Sequence, residues 1–76
     1  PRISIDGGVL GIDYYVKVID HLINVKFKGS LYFEIDPIIT ENMYKYLLEK
    51  GIKIVYKKVD YLNLDRLIKI TLPNTN

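Results

Sequence analysis

The sequence predicts an α/β (α+β) two-layer sandwich: a four-stranded mixed sheet with both helices on one face. Three observations carry that expectation. Four stretches alternate apolar and polar residues with the period of a strand, and two repeat apolar residues at helical spacings of three and four. Gly, Asp-Pro and Lys-Gly signals punctuate the chain between them, giving the order β-α-β-α-β-β. Each helix has one apolar stripe and each strand one strongly apolar face, so two layers bury what needs burying and leave one sheet face open.

The first strand is expected over residues 2–6, with Ile3 and Ile5 inward, and Gly7-Gly8 stop it. A helix over 12–25 carries Ile12, Tyr15, Val16, Ile19, Leu22 and Ile23 on one stripe. Asp13, Lys17, Asp20 and Asn24 lie opposite, with Asp13 placed to cap the helix or meet its dipole. Lys28-Gly29 turns the chain into a strand over 30–35, with Leu31, Phe33 and Ile35 inward and Tyr32 and Glu34 outward. Asp36-Pro37 opens the second helix, 37–50: Asp caps free N–H groups, and Pro suits a first turn where its missing donor is not needed. That helix presents Ile39, Met43, Tyr46 and Leu47 and ends at Lys50-Gly51. The strand over 52–59 sets Ile52, Ile54 and Tyr56 against Lys53, Val55 and Lys57. Asp60 to Asp65 turns into the last strand, 66–72, with Ile68, Ile70 and Leu72 inward before Pro73 ends it. Two strand–helix–strand steps favour right-handed parallel crossovers, and the last two strands form a hairpin.

Composition limits the function classes. The 76 residues suit a single domain over 1–76, and 49% apolar with 26% charged residues is ordinary for a folded globular chain. A formal charge of +2 implies no strong electrostatic capture of nucleic acid or anionic membrane. The absence of cysteine excludes disulfides, thiolate metal sites and sulfur-based nucleophiles. No apolar run spans a bilayer and no signal-like segment opens the chain, so a cytoplasmic protein without membrane contact is expected. Nine Lys to two Arg, many Ile and no Gln fit either a heat-loving host or an AT-rich genome.

From Asp36-Pro37 through 52–59 to Leu67-Ile68, the chain resembles the TusA/SirA-like sulfur-carrier domains in element order and size. That likeness implies their fold. The family's Cys-Pro-x-Pro motif has no counterpart: Leu10-Gly11-Ile12-Asp13 stands there, without the Cys or either Pro. A persulfide carrier needs a thiol, so the expectation is no sulfur transfer, no catalytic residue and no cofactor. Around Tyr15-Val16 and in element order the chain is also similar to the Alba-like chromatin proteins. Their long basic hairpin arm has no counterpart in 60–65.

Several groups invite functional readings, each against a plainer one. Gly8, Leu10 and Gly11 lie in the loop at the family's active-site position, where glycines before a helix can turn N–H groups toward an anion. The spacing matches no phosphate-binding motif, so tight-turn glycines are the simpler reading. His21, the single histidine, has no nucleophile or ligand partner in sequence and reads as a surface residue. Asp13 and Asp20, two turns apart, read as a solvated face. Of the seven tyrosines, Tyr15, Tyr46 and Tyr56 fall at core positions, leaving Tyr14, Tyr32, Tyr44 and Tyr61 for the surface. Lys53, Lys57, Lys58, Arg66 and Lys69 place five of the eleven positive charges on the terminal hairpin. Lys53, Lys57 and Lys69 are expected on the open face with Ser4, Tyr32, Val55, Leu67 and Thr71, although lysines on a sheet also serve solubility.

Three functions compete. First is a non-enzymatic module that docks a protein partner, or a second copy, through Tyr32, Val55, Lys53, Lys57 and Lys69 on the open face. Second is weak, non-specific nucleic-acid binding by Lys53, Lys57, Lys58, Arg66 and Lys69. An enzyme ranks third, because no nucleophile, acid–base pair or metal cluster is legible.

Overall fold

The computed structural model describes residues 1–5 and 11–73, without the side chain of Ile5. Its elements are β1 (Arg2–Ile5), α1 (Ile12–Asn24), β2 (Gly29–Glu34), α2 (Pro37–Glu49), β3 (Ile54–Val59) and β4 (Asp65–Leu72). The strands form one mixed sheet in the order β1-β2-β4-β3. β1 runs parallel to β2, while β4 is antiparallel to both of its neighbours. The hairpin therefore inserts its second strand beside β2 and leaves β3 at the edge.

That order follows from where the apolar residues fall. Leu31 lies opposite Ile70 and Phe33 opposite Ile68, and all four are fully buried. They share one cluster with Tyr15 and Ile19 of α1 and with Ile39, Met43 and Leu47 of α2. Burying a side chain of this size contributes about 1.5–3 kcal/mol. Alternation places Ser4, Tyr32, Glu34, Leu67, Lys69 and Thr71 on the other side of the pleat, here termed the outer face, and none of them joins the cluster. The buried Tyr15 hydroxyl donates to the Glu34 carbonyl at 2.7 Å, and its ring meets Phe33 edge-on at 5.5 Å. No described polar side-chain atom is left buried without a partner.

The helices start differently and end alike. Asp36 caps α2, its carboxylate accepting from the Ile38 N–H at 2.8 Å, with Pro37 in the first turn. α1 is capped by the backbone of Gly11 alone. Asp13 does not cap it: this residue already lies inside the first turn, where its carboxylate meets the positive end of the dipole. At the C-terminus of α2, Gly51 N–H returns to the Leu48 carbonyl and Ile52 N–H to that of Leu47. At the end of α1, Lys26 returns to Ile23 and Phe27 to Leu22 in the same pattern. Gly51 takes φ 70° and Lys26 takes φ 58°. The left-handed conformation suits glycine and costs a lysine about 1 kcal/mol.

Four expectations change. Ile23, expected on the apolar stripe of α1, is exposed in the last turn of that helix. Val18 rather than Val16 packs against the core from α1. Ile52 is buried as expected but as part of the closing turn of α2, so β3 begins at Ile54. Tyr44, read as exposed, is half-buried against the core.

The two helix ends make a matched test. Lys26→Gly is expected to stabilise the fold by up to about 1 kcal/mol, and Gly51→Lys to destabilise it by a similar amount, in urea unfolding at constant m. Opposite signs confirm that the turn conformation, not the side chain, sets the difference.

Candidate functional site: the outer face of the sheet

The β3–β4 ladder shifts register twice, between Ile54 and Tyr56 and between Lys58 and Val59, and the first shift decides the chemistry of the outer face. Ile54 pairs with Ile70, but Tyr56 pairs with Lys69 and Lys57 with Ile68. Val55 is thus an extra residue on β3, a bulge that reverses which side its successors face. Tyr56, expected in the core, lies on the outer face and is 50% exposed. Lys57, expected on the outer face, lies on the core side. Its ammonium sits 3.5 Å from Asp65 Oδ2 and 5.4 Å from the centre of the Tyr44 ring.

The result is a row across all four strands: Ser4, Tyr32, Lys69 and Tyr56. Tyr32 is half-buried, with the Arg2 guanidinium 4.2 Å and the Lys69 ammonium 5.5 Å from its ring centre. Both are within cation–π range. The next outward row is Glu34, Leu67 and Lys58, with Leu67 half-buried. Thr71 and Ser30 complete the face toward Arg2. Arg2, Lys58 and Lys69 therefore surround Tyr32, Tyr56 and Leu67, with Glu34 the one carboxylate among these residues. Val55, at the bulge, is exposed.

The hairpin cations do not form one patch. Lys53 is exposed but precedes β3 and takes no part in the ladder. Arg66 is held at the hairpin turn, its Nε donating to Asp60 Oδ2 at 2.7 Å. The same carboxylate accepts from the N–H groups of Leu62 and Leu64 at 2.8 and 3.0 Å. These bonds, the Arg66 contact first, hold the Asp60 carboxyl below its ordinary range. Asn63 takes the left-handed φ of 63° that the turn needs.

Two further clusters tie α2 to its neighbours. The Tyr44 hydroxyl donates to Asp65 Oδ2 at 2.5 Å, and burial followed by that carboxylate pushes the phenol far above its ordinary range. The Tyr46 hydroxyl donates to Asp20 at 2.7 Å, and burial followed by Asp20 does the same there. Lys50 joins Asp20 at 3.5 Å, so Asp20 is a helix–helix link rather than a solvated residue. Both hydroxyls act as hydrogen-bond donors that brace α2 against its neighbours.

Gly8 and Leu10 lie outside the described residues, and Gly11 is the exposed N-cap of α1. His21 is exposed in the last turn of α1. No three His, Asp or Glu side chains converge as metal ligands among the described residues. Arg2 and Tyr56 are outer-face residues that the sequence reading did not select, and Lys58, selected there only as a hairpin cation for nucleic acid, joins them on this face. The parity of Arg2 with Ser4 was a usable signal; the positions of Tyr56 and Lys58 depend on the bulge. No protein-family model matches the chain, no curated protein matches it, and no solved structure matches it.

The Asp60 turn should respond to acid. Its folded carboxyl titrates below the unfolded one, so its contribution to stability is present above about pH 3.9 and is lost as the pH falls through the folded value. The Leu62 and Leu64 amide resonances are expected to titrate together with Asp60, and Arg66→Gln to move that titration to higher pH. An unchanged midpoint in the variant contradicts the assignment.

Proposed function

We propose that this chain is a non-enzymatic interaction module that docks a protein partner through the outer face. The observation supporting this reading is the Tyr32–Lys69–Tyr56 row with Leu67 beside it: apolar anchors within a polar rim. Tyrosine is enriched at binding hot spots, and Arg2 and Lys69 preorganise the Tyr32 ring. Three cations against one carboxylate favour carboxylates around that partner's apolar centre. Two copies meeting face to face would instead oppose like charges, so an acidic partner takes precedence over self-association. The cytoplasm is the proposed compartment. No described helix is long and apolar enough to cross a membrane.

Tyr32→Ala with Lys69→Glu is expected to weaken partner capture at least tenfold while leaving the unfolding midpoint within the usual surface-mutation range. Lys57→Glu, on the core side of the neighbouring strand β3, should leave capture intact and lower stability, because Asp65 would then face a like charge. Loss of capture with Lys57→Glu alone overturns the assignment of the face.

The same cations and tyrosines favour a second reading, binding of single-stranded nucleic acid by stacking and phosphate contact. Titration of labelled oligothymidylate separates the two. Docking predicts no saturable binding at physiological salt. Binding removed by Lys58→Glu with Lys69→Glu, with a salt slope near 0.7 per contact, establishes the alternative.

Sulfur carriage is not part of the proposal, since the sequence holds no thiol. A cysteine desulfurase supplied with labelled cysteine should leave this chain unlabelled, and covalent sulfur on it refutes that statement.

A further inference from the structure

The C-terminal turns of both helices meet the end of β4 around a pocket of about 420 Å³. This size lies within the range of small-molecule sites. Ile23, Phe27, Ile52 and Leu72 form its apolar wall, with Ile52 and Leu72 themselves buried in the core. Lys26, Lys28 and Lys50 also line it. Lys50 is engaged by Asp20, so the local charge left over is that of Lys26 and Lys28.

Two features make this more than a gap between elements. In the last turns of the two helices, the carbonyls of Leu22, Ile23, Leu47 and Leu48 each accept a backbone N–H. That reduces the negative potential the helix ends turn toward the pocket. Lys26 also holds a left-handed backbone at the position where α2 uses Gly51. A strained residue lining a pocket is a pointer to binding, because glycine there would give the turn without the strain.

We propose that this pocket binds a small amphiphilic carboxylate. Its hydrocarbon part lies against Ile23, Phe27, Ile52 and Leu72, and its carboxylate is held by Lys26 and Lys28. Apolar walls set the body of the ligand and the two ammoniums set its charge. A neutral alcohol of the same length lacks the anion, and acetate lacks the hydrocarbon.

Titration of the full chain with octanoate, octanol and acetate, followed by amide chemical shifts, tests this. Octanoate is expected to saturate with a dissociation constant at or below about 1 mM, moving Phe27 and Ile52 most. Octanol and acetate should each bind at least tenfold more weakly. Lys26→Gly with Lys28→Gln should weaken octanoate at least tenfold while retaining the fold, since glycine suits the turn. Octanol binding as tightly as octanoate, shifts centred elsewhere, or unchanged affinity in the double variant each overturns the proposal.

Discussion

Leu31 and Phe33 on β2 face Ile70 and Ile68 on β4, and all four are without solvent exposure. Most of the architecture is a consequence of that ladder. β4 has to lie in the middle of the sheet for its alternating Ile68, Ile70 and Leu72 to be buried, and the hairpin then carries β3 to the edge. Ile54 is the one β3 side chain that packs against the core. From Tyr56 to Lys58 the strand is exposed, as an edge strand dressed with lysines usually is.

The bulge at Val55 decides what the two faces of the hairpin are made of. An unbroken strand would have put Tyr56 against the helices and Lys57 on the outer face. Instead Lys57 meets Asp65 and the Tyr44 ring, in a half-buried cluster that braces α2 against the hairpin. Tyr56 joins Lys69 and Tyr32 outside. One inserted residue thus exchanges a cation for an aromatic on the proposed docking face.

The helix ends show a comparable economy. α1 and α2 close with the same pair of backbone hydrogen bonds, and the residue after each closing turn, Phe27 or Ile52, returns to the core. The difference is local: glycine in one left-handed position, lysine in the other. With the end of β4 between them, these turns enclose the apolar pocket and its lysines.

Element order, the α2 stripe, the Tyr15–Ile19–Leu22 part of the α1 stripe, the Asp36 cap and the inward residues of β2 and β4 were legible in the sequence, because each depends on near neighbours and a fixed period. The strand alternation also marked Tyr32 and Lys69 as outward. Which strand would lie beside β2 was settled in three dimensions, by the cross-strand burial of Phe33 with Ile68. The side taken by Tyr56 and Lys57 was settled there too. A bulge leaves no mark in composition; it shows only as the registry of β3 against β4, shifted by one residue where Ile54 must reach the core and Lys57 must reach Asp65. Asp20, Tyr44 and Tyr46 were misread or only half read for the same reason. Their partners lie 21 to 26 positions away, and only the packing of α2 against α1 and the hairpin brings them within hydrogen-bond reach.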